Sequence, residues 1–396
     1  MISVEEAKKI VLDSIEPIKE TLVIATNDSL GYSLAKDIYA PLDLPPFNQS
    51  NVDGYAVCYN EQENKNWKVI TEIKAGDNSS VILKKGEAAR IFTGAKVPEG
   101  STMVLMQEKV NKKEDTITCT ENLKEGEHIR KKGAQIKKEQ LAIKTNTVCT
   151  PAVIGFINSL GIDKIEVFRK PEIALIITGN ELESAGKDLT EGKVYESNAA
   201  TLRSALLEMG LKAPYTLFVN DNKEELKNAI TKLLPTIDVL LISGGISVGD
   251  YDFVKEVVEE IGTITLFYKV AQKPGKPLYY GKNKNKIVFG LPGNPASTLT
   301  CFYEYVFPAL KKSQGRKNVF LQTLTIPTNK TIQKKSGLAH FLKASVIDTI
   351  AEPLGGQESF IIKSLTEANA FIYLPQDKET VNKGENVEVH LFPELY

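Results

Sequence analysis

The sequence is poor in the residues that bind transition metals or crosslink a chain. Its four cysteines (Cys58, Cys119, Cys149, Cys301) are far apart and form no CxxC pair, so neither a disulfide framework nor a cysteine zinc site is written into it. Its three histidines (His128, His340, His390) show no metal-ligand spacing. Charge of one sign is also lacking. Lys+Arg 49 against Asp+Glu 50 leaves −1, which argues against nucleic-acid and membrane-surface partners. No apolar run approaches a membrane span, and the first residues lack the basic-then-apolar pattern of a secretory signal. No GxxxxGK[ST] occurs, so there is no Walker-type P-loop. Repeats and low-complexity tracts are missing as well. The expectation is a cytoplasmic protein acting on small molecules.

What is present suffices for a large folded protein. The 396 residues are 42% hydrophobic and 25% charged, an ordinary globular balance at a length that suits roughly two to four domains. The most telling stretch is Ile237-Asp-Val-Leu-Leu-Ile-Ser-Gly-Gly-Ile-Ser-Val-Gly-Asp-Tyr-Asp252. Its apolar run 239–242 suits a strand buried on both faces of a parallel sheet. Ser243, Gly244, Gly245, Ser247 and Gly249 then let the backbone turn sharply and bring N–H groups close to a ligand. Phe253, Val254, Val257, Val258 and Ile261 recur at helical spacing, with Gly262 as a stop. Strand, glycine loop, helix is an anion-binding arrangement, and Asp250 and Asp252 beside it favour a cation. Together they suggest a phosphorylated ligand with a divalent metal.

Along the chain, Ser3 and Glu6 form a capping box before a helix expected over residues 4–19. Residues 41–57 hold three prolines and an Asp53-Gly54 turn. Residues 67–148 read as short strands (67–73, 80–83, 87–92, 103–107, 116–119, 141–143), with Thr93 just after one of them. The basic cluster within 124–138 reads as a solvated face. Thr150-Pro151 starts a helix that Gly161 ends. From 172 to 312 the pattern becomes β-α-β, which implies a three-layer α/β/α domain with a mostly parallel sheet. Asn198 is expected to cap one helix, Asp221 with Glu224 to box a second, and Asn294-Pro295 to start a long third. Residues 318–396 return to short strands (320–326, 341–346, 360–362, 370–373, 387–391), suiting a small β-barrel or sandwich.

Polar residues in the α/β region fall where strands end: Glu181, Asp221, residues 243–252, Lys273, Lys276 and Asn294. All would meet at the carboxyl edge of a parallel sheet, where such domains bind ligands. Capping explains single residues there but not three carboxylates and two lysines together. Carboxylates can hold Mg²⁺, and lysines can neutralise phosphate or an oxyanion. The deduced chemistry is metal-assisted transfer at a phosphate-bearing ligand.

These residues resemble the MoeA-type molybdopterin molybdenumtransferases, the family that includes the E domain of gephyrin. The resemblance is carried by Ser50-Asn-Val-Asp-Gly-Tyr-Ala56, Arg90-Ile-Phe-Thr-Gly-Ala95, Gly126-Glu-His-Ile-Arg130, Thr178-Gly-Asn-Glu-Leu182, Glu196-Ser-Asn198, Ser243-Gly-Gly-Ile-Ser-Val-Gly249, Lys273-Pro-Gly-Lys-Pro277 and Gly290-Leu-Pro-Gly-Asn-Pro295. It implies a four-part subunit. Residues 1–20 with 38–50 and 138–170 would form a linker and dimerisation domain, and 21–37 with 51–137 a β-rich domain. Residues 171–314 would form the molybdopterin-binding α/β domain, and 315–396 the C-terminal β-barrel. It also implies a homodimer whose cleft is completed by the partner's β-rich segment. The implied reaction takes adenylylated molybdopterin and molybdate to molybdenum cofactor and AMP with Mg²⁺. The family's functional positions fall on Asp53, Thr93, Glu181, Asp221, Asp252, Lys273 and Lys276, with Glu181, Asp221 and Asp252 as metal ligands. Pterin binding falls on Ser243, Gly244, Gly245, Ser247, Gly249, Pro292, Gly293, Asn294 and Ser297. Implied protein partners are the molybdopterin adenylyltransferase and the enzymes that accept the cofactor. The chain departs from the family at Gly100-Ser-Thr102 and Ala134-Gln135, at Leu338 and Lys343 where arginine is common, and at Glu358 where glycine is usual. Two other functions suit the same architecture: a non-catalytic scaffold, and a nucleotide-pyrophosphate hydrolase.

Overall fold

The computed structural model describes residues 1–59, 65–78, 80–122, 124–246 and 253–393. Ser247, Gly249, Asp250 and Asp252 therefore lie outside the described residues. The chain forms two compact units. One comprises Met1–Val23, Gly31–Ala35 and Glu166–Tyr396, the other Ile24–Leu30 and Lys36–Ile165.

The first unit is built on a six-stranded sheet in the order Tyr215–Val219, Ile173–Thr178, Val239–Ser243, Lys286–Leu291, Tyr279–Asn283, Ile264–Tyr268. Five strands run the same way and Tyr279–Asn283 alone runs antiparallel to both its neighbours, so the sheet is mostly parallel as expected. Ile173–Thr178 and Val239–Ser243 are buried along their whole length, which is why they read as unbroken apolar runs. Their side chains alternate between two cores. Ile173, Leu175 and Ile177 pack with residues of the helices Val4–Asp13 and Asn198–Glu208 and of the helical stretch 295–313, while Ala174 and Ile176 pack with Lys223–Leu233 and Phe253–Glu260. The result is the expected three layers. The strand Tyr279–Asn283 has no sequence counterpart in the expectations, because Gly281, Lys282 and Asn283 break its apolar pattern.

The N-terminal helix stops at Asp13, not residue 19. Pro17 has no N–H, and its ring would strike the Asp13 carbonyl in a continued helix. Its stripe finds its partner within the same chain: Val4, Ala7 and Val11 join the core that holds Phe302, Val306 and Leu310. The long helix runs through Pro295–Cys301, a π turn at Phe302–Val306, and Phe307–Ser313. Pro308 cannot donate to the Glu304 carbonyl, and the widened turn accommodates that missing bond.

Inside that turn Glu304, 2% exposed, accepts from Lys8 Nζ at 2.5 Å and pairs with His390 Nδ1 at 2.7 Å. His390 Nε2 lies 2.9 Å from Glu388. Burial alone would lower the His390 pKa, but the two carboxylates overcome it and hold the imidazole above its ordinary value. Burial raises the Glu304 carboxyl, and Lys8 and His390 more than reverse that. One ionic hub thus joins the first helix, the long helix and the last strand.

The C-terminal region is a small barrel. Ile350–Pro353, Ala339–Ile347, Ala370–Leu374, Asn386–Leu391 and Gln322–Pro327 follow one another as neighbours. The bridge Thr328↔Ala351 and the Asn329 N–H to the Ala351 carbonyl (3.0 Å) close the ring around Ile326, Ala344, Ile372 and Val389. Residues 360–362, expected as a strand, form none. Gln272–Lys273 is a short strand paired in parallel with Ala339–Ile347.

The second unit holds a six-stranded sheet in the order Met103–Met106, Gly54–Val57, Glu87–Ile91, Asn66–Ile73, Thr116–Thr118, Asn111–Lys113. Residues 80–83, expected as a strand, contribute the isolated bridge Ile82↔Glu99. The helix Pro151–Ser159 starts as expected, with Thr150 accepting from the Val153 N–H at 3.3 Å. A Cβ on Gly54 would stand 1.8 Å from the Leu105 carbonyl oxygen, so glycine there is required by strand contact.

Glu304→Ala leaves Lys8 and His390 buried without their partner, and is expected to cost about 3–5 kcal/mol in urea unfolding. His390 is raised above 6.5, so its contribution is full below that pH and drains as pH rises through the folded value. Glu304 is lowered from 4.5, so its contribution is full above that pH and is lost on acidification. The difference between wild type and variant should therefore be greatest between pH 4.5 and 6.5. A difference that is flat from pH 4 to 9 would count against the hub.

Candidate functional site

The parallel register brings the loops together. Ile177 lies beside Ser243, Ser243 beside Leu291, and Thr178 beside Val219. Residues 179–182, 220–221, 244–246 and 292–294 therefore leave the sheet at one level of one edge, where open α/β sheets bind ligands.

Two adjoining clefts form there. The smaller, ≈ 190 Å³, is lined by Glu181, Asp221, Ser243, Gly244, Gly245 and Gly293 among others. The larger, ≈ 830 Å³, shares Glu181 and Gly293 and adds Lys273, Lys276, Pro292, Asn294 and Ser297. The structure thus assembles every predicted residue of the α/β region that it describes. Asp53 and Thr93 also meet, in the second unit: Asp53 Oδ1 accepts from both the Thr93 N–H and its hydroxyl, each at 2.8 Å. Those two bonds, with Arg90 nearby, hold the Asp53 carboxyl below its ordinary range. Ser247, Gly249 and Asp252 are outside the described residues.

Two expected helix caps differ, and a third keeps its place without its cap bond. Ser197, not Asn198, is the N-cap of Asn198–Glu208. Asn198 opens the helix and is buried, donating from Nδ2 to Ser243 Oγ at 3.0 Å and to the Gly293 carbonyl at 2.8 Å. Ser243 Oγ in turn donates to the Pro292 carbonyl at 3.3 Å. This amide ties the first glycine loop to the second. Asn222, not Asp221, caps Lys223–Leu233, accepting from the Glu225 N–H at 3.0 Å. Asp221 is thereby free of the helix. It accepts from the Asn180 N–H at 3.2 Å, and its own N–H donates to Asn180 Oδ1 at 3.0 Å. Asn294 holds its N-cap position but makes no side-chain cap bond; its Nδ2 donates to Ser359 Oγ at 2.8 Å.

Electrostatically the edge is divided. Glu181 and Asp221 are exposed, open on the small cleft and make no ion pair with a described residue. Two carboxylates beside a polar cleft suit Mg²⁺, which keeps several waters and takes one or two carboxylates. No group of three or more metal-binding side chains occurs among the described residues. Lys273 and Lys276 are exposed on the large cleft. Lys273 also acts on His340, its strand partner: burial, then Lys334 and Lys273, push the imidazole pKa down to about 4.

The glycines are a steric requirement. A Cβ on Gly244 (φ +94°) would sit 2.2 Å from the Thr178 carbonyl oxygen, and one on Gly245 (φ +63°) 2.9 Å from Val254 Cγ2. Among the described residues, the Thr178 hydroxyl and Asn198 Oδ1 are buried without a hydrogen-bond partner. Buried polar atoms ordinarily have a partner, so these two mark the edge as suited to a polar ligand.

Three sequence families match the chain in series: the MoeA N-terminal region (domain I and II) over residues 2–161, the probable molybdopterin binding domain over 174–312, and the MoeA C-terminal region (domain IV) over 325–392. The chain belongs to the MoeA family. It is 32% identical to the molybdopterin molybdenumtransferase of Haemophilus influenzae, covering 100% of both chains. It is 32% identical to that of Staphylococcus epidermidis over 98% of this chain and 95% of the other. The molybdopterin biosynthesis MoeA protein of Pyrococcus horikoshii superposes with a TM-score of 0.83 at 33% identity, covering 100% of both chains. Both clefts are built chiefly from the segment matching the molybdopterin binding domain, while Asp53 and Thr93 fall in the MoeA N-terminal match.

Sequence reasoning missed four contributors. Asn180 and Asn198 stand within motifs, but a polar residue at a helix or turn reads as a local cap. Ser359 and Phe360, which line the large cleft, carry no signal at all. The glycine loops give a paired test. Gly244→Ala should destabilise the protein by about 1–3 kcal/mol through overpacking at positive φ. Gly293→Ala, whose Cβ would meet nothing nearer than 3.9 Å, should stay within about 0.5 kcal/mol of wild type. Equal Tm losses for both would contradict the geometry.

Proposed function

We propose that the chain inserts molybdate into adenylylated molybdopterin, giving molybdenum cofactor and AMP with Mg²⁺ as the required ion. The observation that carries this is the juxtaposition of two glycine loops, a carboxylate cleft at Glu181 and Asp221, and a lysine cleft at Lys273 and Lys276. Molybdate is a dianion and the adenylylated pterin brings a pyrophosphate, so both need positive counter-charge. Lys273 and Lys276 supply part of it. Backbone N–H groups of the 243–249 loop cradle a phosphate. Glu181 and Asp221, with Asp252, would hold Mg²⁺, which when bound polarises the pyrophosphate. Pro292, Gly293, Asn294 and Ser297 shape the wall against which the pterin rests.

Asp53 and Thr93 act as a unit. The hydroxyl and N–H of Thr93 both point their hydrogens at one Asp53 oxygen, which keeps the carboxylate charged and fixed for orienting molybdate or water. We assign them to the cleft of a partner subunit in a homodimer, on the family's pattern, with the subunit divided into four domains as expected above. The adenylyltransferase that makes the substrate and the enzymes that take the cofactor are the protein partners this role calls for. Free Cys58, Cys119, Cys149 and Cys301 support a reducing, cytoplasmic setting. No helix among the described residues is long and apolar enough to cross a membrane.

The purified chain, given adenylylated molybdopterin, molybdate and Mg²⁺, should form cofactor and release AMP. Glu181→Ala and Asp252→Ala should each lower turnover by about a hundredfold or more at unchanged Tm, and chelation of Mg²⁺ should act likewise. Near-wild-type turnover in both variants would sink the carboxylate assignment. AMP release without molybdate would favour the hydrolase, and binding without turnover the scaffold.

A further inference from the structure

Lys343 is a lysine only 2% exposed, on the barrel strand Ala339–Ile347. It forms no salt bridge with a described residue. Its ammonium instead donates to three backbone carbonyls of one loop: Gly356, Glu358 at 3.2 Å and Ile361 at 2.9 Å. An ammonium has three N–H donors, so every one has an acceptor within residues 356–361. The same loop is held at its base by Gln357. Its Oε1 accepts from the Lys343 N–H at 3.0 Å, and its Nε2 donates to the Lys343 carbonyl at 2.9 Å and to that of Leu354 at 2.8 Å. A buried cation needs such partners to offset lost hydration. The loop in turn has no strand of its own to fix it.

What this loop carries is part of the site. Ser359 Oγ accepts from Asn294 Nδ2 at 2.8 Å, and the Ser359 carbonyl accepts from the Ala296 N–H at 3.1 Å. Ser359 and the exposed Phe360 line the large cleft beside Lys273 and Lys276. We propose that Lys343 is a positioning residue for the transfer reaction: by clamping three carbonyls it sets the 354–364 loop so that Ser359 and Phe360 form the barrel's wall of the lysine cleft. The proposal rests on the reading that this cleft holds the oxyanion, but its geometry can be tested without turnover.

The Ala296 amide is a direct reporter. It lies in the first turn of Pro295–Cys301, where an N–H has no acceptor within its own helix, so the Ser359 carbonyl is its protection. In Lys343→Met the Ala296 amide should exchange about tenfold faster or more, while amides of the strand Ala370–Leu374 keep their wild-type rates. The KM for molybdate should rise about fivefold or more with kcat changed less than about twofold. Lys343→Arg, which keeps charge and donors, should return both values toward wild type. A structural role alone would speed exchange across the whole barrel and leave KM alone. Either that pattern, or wild-type Ala296 exchange in a folded Lys343→Met, overturns the proposal. Should Lys343→Met not fold, Lys343→Gln retains an amide donor and carries the same two readouts. If the wild-type chain makes no cofactor, the transferase reading falls, and Ala296 exchange still decides the role of Lys343.

Discussion

The register between Ile173–Thr178, Val239–Ser243 and Lys286–Leu291 is the constraint on which the site depends. Three parallel strands end level, with Ile177, Ser243 and Leu291 side by side. A slip of one residue would turn every side chain to the opposite face, and two fully buried strands forbid it. Both faces of Val239–Ser243 lie in cores, Leu241 in one and Leu240 and Ile242 in the other. Hydrophobic burial therefore fixes the height at which Gly244 and Pro292 leave the sheet. The Asn198 amide then fixes the gap between those loops, because it needs the Ser243 hydroxyl and the Gly293 carbonyl at once. Packing sets the level and hydrogen bonding sets the spacing.

A second constraint ties the barrel to this edge. Gln272–Lys273 leaves the α/β layers and pairs with Ala339–Ile347, while Ser359 returns from the barrel to Asn294 and Ala296. The lysine cleft is thus bounded from both sides by residues whose backbone is held in the barrel. Behind it, Glu304 binds Lys8 and His390. The buried carboxylate is costly alone, and its two cationic partners belong to the first helix and the last strand. Chain ends remote in sequence are required to meet for the charge to be tolerated.

Much of this was legible in the sequence because it is written in local terms. Apolar runs named the buried strands, and their alternation with helical spacing named the three layers. Polar residues at strand ends named Glu181, Asp221, Lys273 and Lys276. What escaped is what depends on long-range geometry. Asn198, Asp221 and Asn294 are each placed at a helix start, where capping is the ordinary role. Only the fold shows that Ser197 and Asn222 take two of those roles, and that all three side chains reach elsewhere. Gln272–Lys273 could not be read as a strand, since two residues carry no period and their partner is far along the chain. Tyr279–Asn283 was hidden by its glycine and polar residues.

The division of charge at the edge follows from the same layout. Carboxylates placed among the lysines would neutralise them, and neither cation nor anion would be held. Here Glu181 and Asp221 come from loops after the strands Ile173–Thr178 and Tyr215–Val219, on one side of Gly244. Lys273 and Lys276 come from the connection after Ile264–Tyr268, at the far edge strand of the sheet. Sheet order therefore separates the two charge types across the glycine loops, and Glu181 and Gly293, common to both clefts, mark the seam. A ligand with a metal-bound phosphate at one end and an oxyanion at the other fits such a divided edge. A ligand of uniform charge would meet repulsion in one of the two compartments.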